Sequence, residues 1–129
     1  MLTYLKLIEC LEKYSKYRKY TYSIKSNYVV ILFPKSEYHV SIFKDQWDEY
    51  EFLTGKPYYQ FHVSSNNIDQ RCSSYFWVKK STNRIRKIPS KYFYYDQPVY
   101  SINESTRSPC KLRKIMPILK LFQKFLKRC

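Results

Sequence analysis

The apolar residues of this chain change their spacing near Tyr20, from a helical period to a period of two. Tyr20, Tyr22 and Ile24 alternate with polar residues, and the run 28–33 is apolar at every position. Because successive side chains of a strand point to opposite faces, the first pattern predicts a half-buried strand and the second a central strand. The chain must therefore fold around a β-sheet.

The remaining segments predict a mixed fold. Thr3 is a candidate N-cap for an amphipathic first helix, in which Tyr4, Leu7 and Leu11 recur at helical spacing. The short turn at 34–36 favours an antiparallel meander. Strand signals occur at 20–24, 28–33, 38–43, 58–64, 75–80, 84–88 and 99–102, and five or six of these segments are expected to form the sheet.

The sequence thus predicts an α+β fold with an N-terminal helix, an antiparallel sheet of five or six strands and a C-terminal basic amphipathic helix. The length suits a single domain, 1–129. Residues 103–110 are predicted to form a polar linker to the last helix, and residues 45–51, with four of the ten acidic groups, a short helix or loop ending at Gly55.

The last segment, 111–128, has a helical pattern and no acid. Pro117 lacks an amide hydrogen and is expected in the first turn of this helix. Leu119, Phe122, Phe125 and Leu126 form its apolar stripe. The helix could dock on the sheet, on nucleic acid, on an anionic membrane surface or in the groove of a partner, and the stripe makes docking on the sheet the default.

Charge is divided unevenly along the chain. Residues 71–129 carry 15 Lys and Arg against two acids, whereas residues 1–70 carry nine against eight. Such asymmetry indicates a polyanionic partner, with RNA or DNA first. The absence of Ala, with one Gly, 17 Lys and 15 Tyr, indicates an AT-rich gene. A virus, mobile element, organelle, endosymbiont or low-GC parasite would fit.

A cationic hairpin is predicted at 72–87. If Phe76 and Val78 are core residues, Tyr75 and Trp77 present their rings on the other face, where bases could stack beside cations. Alternatively, the two rings pack under the terminal helix and the cations form a solvated edge. The predicted nucleic-acid-binding residues are Tyr75, Trp77, Lys79, Lys80, Arg84, Arg86, Lys87, Lys111, Arg113, Lys114, Lys120, Lys124, Lys127 and Arg128.

The four cysteines are widely spaced and include no C-x-x-C pair. This spacing predicts free thiols in a reducing compartment and no metal site. The charged N-terminal residues leave no apolar region of signal-peptide length, and no run of about 18 apolar residues exists. The expected location is therefore intracellular, in the cytoplasm or nucleus of a host cell or in an organelle. No cofactor is predicted.

The two histidines occur in matching contexts, Tyr-His39-Val-Ser41 and Phe-His62-Val-Ser64. This repeated unit resembles the paired motif of the 2H phosphoesterases, in which two histidines act as general base and general acid on a phosphodiester. The resemblance implies that His39 and His62 are the acid and base, and that Ser41 and Ser64 hold the phosphate. The alternative is two strand histidines with neighbouring serines.

These observations rank three functions. The first is a small nucleic-acid-binding protein without enzymatic activity, an accessory protein of an AT-rich virus, mobile element or organelle. The second is a host-interaction protein, in which the acidic segment 45–51 or the tail helix docks on a host factor. The third is a 2H-like phosphodiesterase.

Overall fold

The computed structural model describes residues 1–14, 20–34, 36–65, 67, 71–89 and 109–129. In chain order the elements are helix α1 (Tyr4–Tyr14), strands β1 (Thr21–Ile24), β2 (Tyr28–Leu32) and β3 (Tyr38–Phe43), helices α2 (Lys44–Asp48) and α3 (Tyr50–Thr54), strands β4 (Tyr58–Ser65), β5 (Ser73–Lys79) and β6 (Arg84–Lys87), and helix α4 (Leu112–Arg128). The predicted α+β class is confirmed.

Within the described residues the strands form one six-stranded antiparallel sheet in the order β1 to β6, so each strand pairs with its neighbours in sequence. The predicted meander is confirmed. The strand predicted at 99–102 and most of the linker predicted at 103–110 lie outside the described residues. The single domain remains a prediction.

One face of the sheet carries the main core, and helices α1 and α4 cover it. Leu7 and Leu11 of α1 and Phe122 of α4 are fully buried against strand residues such as Phe61. The Phe61 and Phe122 rings meet edge to face, with their centroids 4.8 Å apart. Because strand parity puts every second residue on this face, α4 can bury its whole apolar stripe there.

The start of α1 is tied to α2 by hydrogen bonds. Thr3 accepts a bond from the Lys6 amide, as its predicted N-cap role requires. Asp48 Oδ1 accepts from the Tyr4 amide at 2.8 Å, and Trp47 Nε1 donates to the Leu2 carbonyl at 2.8 Å. Asp48 of the acidic segment therefore helps to cap the first helix. The segment ends at Gly55, which lies in the left-handed region with φ of 73°.

Helix α4 begins earlier than expected. The sequence predicted Pro117 in the first turn, but the helix starts at Leu112 and Pro117 lies inside it. A proline here removes a hydrogen bond to the Arg113 carbonyl and costs about 3 kcal/mol. Arg113 and Pro117 are both exposed, so water can reach this side of the helix, whereas Ile115 is fully buried. Burial of the apolar stripe of α4 offsets the free energy that this proline costs.

Two cysteines predicted to be free form a disulfide. Cys72, just before β5, is bonded to Cys110, two residues before α4. The Cys110 amide also donates to Ser74 Oγ at 2.8 Å. Sequence spacing could not reveal the pair, because the folding of the chain brings together residues 38 positions apart. The bond fixes the start of α4 to the sheet.

We predict that the disulfide contributes about 4 kcal/mol to the free energy of unfolding, because it closes a long loop and restricts the unfolded chain. Urea unfolding of the wild type should show this loss when reductant is added. The Cys72→Ser/Cys110→Ser double variant is the control and should start at the lower value and not respond to reductant. An equal response in the two proteins would contradict the bond.

The far end of α4 packs beside α1 and β1. The Tyr20 ring lies 6.0 Å from Phe33 and 6.1 Å from Phe125, centroid to centroid. Burial, and secondarily nearby groups including the Cys129 and Cys10 thiols, raise the pKa of the Tyr20 phenol to about 12. Burial, with a hydrogen bond to Cys10, also raises the pKa of the Cys129 thiol. Packing of this corner therefore favours the neutral form of both groups.

We predict that the packing of Tyr20 at the end of α4 makes the free energy of unfolding fall at alkaline pH. The raised pKa of Tyr20 means that the unfolded chain loses its phenol proton first, so the contribution is complete below about pH 10 and declines towards pH 12. The Tyr20→Phe variant should lose less free energy of unfolding between about pH 9 and pH 11 than the wild type in urea titrations. Identical slopes would contradict the prediction.

Candidate nucleic-acid interface

The cationic hairpin forms as predicted, with β5 and β6 paired from Phe76 opposite Lys87 to Lys79 opposite Arg84. Asn83 closes the turn with φ of 54°, a left-handed conformation that asparagine tolerates, and its amide donates to the Lys79 carbonyl at 2.7 Å. The turn thereby directs β6 along the side of α4.

A groove of about 870 Å³ runs between β6 and α4. Its floor is apolar, and its lining includes five cationic residues and, in the part of the chain that the structure describes, no acid. The apolar residues are Phe76, Ile85, Leu112, Met116 and Leu119, and the cationic residues are Arg84, Lys87, Lys120, Lys124 and Lys127. The five cations are exposed and come from both elements.

Gln123 holds the two walls of this groove together. Its side-chain oxygen accepts from the Ile85 amide at 2.7 Å, and its nitrogen donates to the Asn83 carbonyl at 2.7 Å. The side chain thus satisfies the Ile85 amide of β6 and the Asn83 carbonyl of the turn. It fixes the spacing between helix and hairpin and occupies the place where another strand would pair.

The other predicted cations do not join the groove. Register puts Lys79 and Arg86 on the face of Trp77, together with Arg84, which lies on the last described strand of the sheet and also lines the groove. The Arg86 guanidinium lies 5.9 Å from the Tyr58 ring centroid. Arg128 lines a smaller pocket next to Tyr14. At the start of α4 are Lys111, Arg113 and Lys114, which are exposed.

Lys80 was expected to be solvated, and this was wrong. Its side chain is 14% exposed, with Nζ 3.5 Å from Glu51 Oε1 and 5.1 Å from the Tyr59 ring centroid. Because α3 brings Glu51 to the end of the hairpin, Lys80 is drawn into a structural ion pair rather than towards a ligand.

The prediction that Tyr75 and Trp77 expose their rings is also wrong. Both are buried, at 9% and 3% exposure, in a second cluster with Tyr50 and Ile88. Trp77 Nε1 donates to the Tyr50 hydroxyl at 2.8 Å, and Tyr58 stacks on the indole at 4.4 Å. The alternative of burial under the terminal helix is wrong too, because α3 covers this face while α4 covers the other.

The predicted catalytic residues lie together but closed in. Register pairs His39 with Ser64 and Ser41 with His62, so all four share one face of neighbouring strands. Ser41, His62 and Ser64 are buried, contrary to the open face that catalysis requires. His62 packs between Phe43 and Tyr75, with centroids at 5.5 and 5.2 Å, and Ser64 bonds to Ser73. A phosphodiester would need these groups to move.

We predict that the two histidines differ in reactivity. Diethyl pyrocarbonate should acylate the half-buried His39 in the native protein, whereas His62 should react only after unfolding, because rings cover it. Peptide mass spectrometry before and after addition of urea gives the two rates. Rapid modification of native His62 would show that the face opens and would restore the condition for catalysis.

Among the described residues, no group of three or more His, Cys, Asp and Glu side chains could hold a metal ion. Likewise, none of the described helices is long and apolar enough to cross a membrane.

The sequence analysis did not predict the apolar floor of the groove, the role of Gln123 between its walls or the contact of Tyr58 with Arg86. The floor residues belong to the strand and helix patterns of the core, and nothing local distinguishes them. The helical spacing of Leu112, Met116 and Leu119 was the available indication, because it gives α4 a second apolar edge beside its buried stripe.

Fold and groove define a small basic α+β protein, in whose described residues a six-stranded meander carries two helices on one face. The chain is 51% identical over 110 residues to uncharacterized protein R703 of Acanthamoeba polyphaga mimivirus, covering 85% of this chain and 82% of that relative. It therefore belongs to the family of that mimivirus protein. A virus was among the sources that the composition indicated. No family model and no solved structure matches the chain.

Proposed function

We propose that this protein is a viral accessory protein that binds RNA or DNA through the basic groove. The observation that carries the proposal is the convergence of Arg84 and Lys87 with Lys120, Lys124 and Lys127 in a groove that no acidic residue lines within the described ranges. Five like charges held side by side repel one another, and phosphates would neutralise them and release their counterions.

The buried rings change the expected kind of binding. With Tyr75 and Trp77 packed against Tyr50 and Tyr58, base stacking on them is not available in this structure. Affinity would then come mainly from phosphate contacts, which carry no sequence information directly. We therefore propose binding that depends strongly on salt and weakly on base sequence.

The disulfide bears on where such binding takes place. Disulfides persist in oxidising environments, which include virus particles, and are rare in the cytosol and nucleus. A protein with the Cys72–Cys110 bond that also binds nucleic acid would fit a virus particle better than the cytoplasm or nucleus expected from free thiols. Contacts with a host protein or an anionic membrane surface stay predictions.

The test is fluorescence anisotropy with labelled single-stranded RNA and DNA of several sequences. With about five phosphates contacted, the slope of log affinity against log salt should be roughly −3.5, and the sequences should bind about equally. Affinity that is unchanged between low and high salt would contradict the proposal.

A pair of charge-matched variants locates the site. Replacing Lys87, Lys120, Lys124 and Lys127 by Gln should weaken binding roughly 100-fold at about 0.1 M salt, because four counterion-releasing contacts are lost. The control replaces Lys6, Lys13, Lys25 and Lys44, which are also exposed, by Gln. It removes the same charge outside the groove, so an equal loss in both variants would assign binding to net charge and contradict a groove site.

A further inference from the structure

The side of α3 that faces away from the sheet exposes two adjacent apolar residues. Phe52 is 89% exposed and Leu53 is 56% exposed. Tyr50 of the same helix is fully buried, and Phe52 lies two residues, or about 200°, around the helix from it. Together Phe52 and Leu53 form an exposed apolar patch, and such patches, when polar residues border them, mark contact surfaces.

Acidic residues lie close to this apolar pair in the sequence. Asp45 and Glu49 are exposed, and Asp48 and Glu51 belong to the same short segment. We call residues 45–53 the acidic knob. Lys44 and Lys56 flank it, so the region remains net negative in a chain whose formal net charge is +14.

The knob is held on its own molecule. Tyr50 bonds to Trp77, Glu51 pairs with Lys80, and Asp48 caps α1. These contacts fix both ends of the segment to the sheet and to α1, so it cannot leave to fill the groove beside α4 of the same chain. Any groove that it enters belongs to another molecule.

The basic groove has the complementary chemistry. Leu112 and Met116 on its floor are 44% and 37% exposed, and five cations line the walls. An occupant that covers the floor and neutralises the walls must combine apolar and acidic side chains. The acidic knob has that composition, with Phe52 and Leu53 between Glu49 and the end of α3.

We propose that the acidic knob of one copy of this protein docks in the basic groove of a second copy. Knob and groove are different surfaces, so the contact is head to tail and leaves one free knob and one free groove at the ends of the assembly. Copies can therefore add in series, and the assembly grows with concentration. High salt weakens it, because opposite charges hold the contact.

Nucleic acid and the knob compete for the same cations. The proposal does not depend on nucleic-acid binding, because the contact forms between two copies of the protein and needs no RNA or DNA. Where both ligands bind, added polyanion should disperse the assemblies.

The test is sedimentation velocity of the full chain, whose monomer mass is 15.9 kDa. At about 50 mM salt the average mass of the wild type should rise with concentration, and about 500 mM salt should return it to the monomer. The knob variant Glu49→Lys/Phe52→Ser and the groove variant Lys120→Glu/Lys124→Glu should each remain monomeric. Leu5→Ser, at another exposed apolar position, on α1, is the matched control and should assemble like the wild type.

Mixing the two variants gives the decisive result. One keeps an intact groove and the other an intact knob, so an equimolar mixture should form a species of twice the monomer mass and nothing larger. Circular dichroism confirms that each variant is folded, and Glu49→Gln/Phe52→Ala replaces a knob variant that is not. A non-reducing gel excludes links through Cys10 or Cys129.

A wild type that stays monomeric at low salt would overturn the proposal. So would assembly by the groove variant alone, which would mean knob-to-knob contact, or a mixture that stays monomeric. The knob variant should bind nucleic acid as the wild type does. Loss of assembly with binding intact, or the reverse, therefore separates this inference from the proposed function.

Discussion

Packing of the α4 stripe on the sheet is the constraint on which the rest of the structure depends. Phe122 and Leu126 are buried in the main core, and the Cys72–Cys110 bond fixes the other end of the helix. Only with the helix in this place does its outer edge face β6 and form a groove. The cations of the groove are therefore held close by apolar burial, which overcomes their mutual repulsion.

The two faces of the sheet have different roles. One is closed by α1 and α4. On the other, Tyr50 and Trp77 join α3 to β5 through a buried hydrogen bond, and His62 lies between two rings. Residues that parity places on the second face are thus mostly structural, and the charged surface that remains available is at the edge of the sheet. On this second face Ser41, His62 and Ser64 are enclosed, whereas His39 is half-buried.

The sequence predictions that were wrong share one physical origin. Cys72 and Cys110 are distant in sequence, and only the return of α4 to β5 makes them neighbours. Pro117 lies inside a helix because burial of Ile115 and the disulfide hold the first turn in place against a local cost. Trp77 was assigned to solvent because strand parity places it on the face opposite Phe76 and Val78, but parity distinguishes the two faces of a strand and not what covers them.

What the sequence determined by itself is the local structure: the helices, the strand order of the meander, the capping of α1 at Thr3 and the cationic character of the hairpin and tail. These follow from side-chain periodicity, propensity and charge, which act over a few residues. The tertiary structure decided which surfaces remain open. It buried Trp77 and His62, paired Lys80 with Glu51, exposed Phe52 and brought five cations from two distant segments into one groove. Exposure depends on packing between segments far apart in the chain, and a local pattern does not contain it.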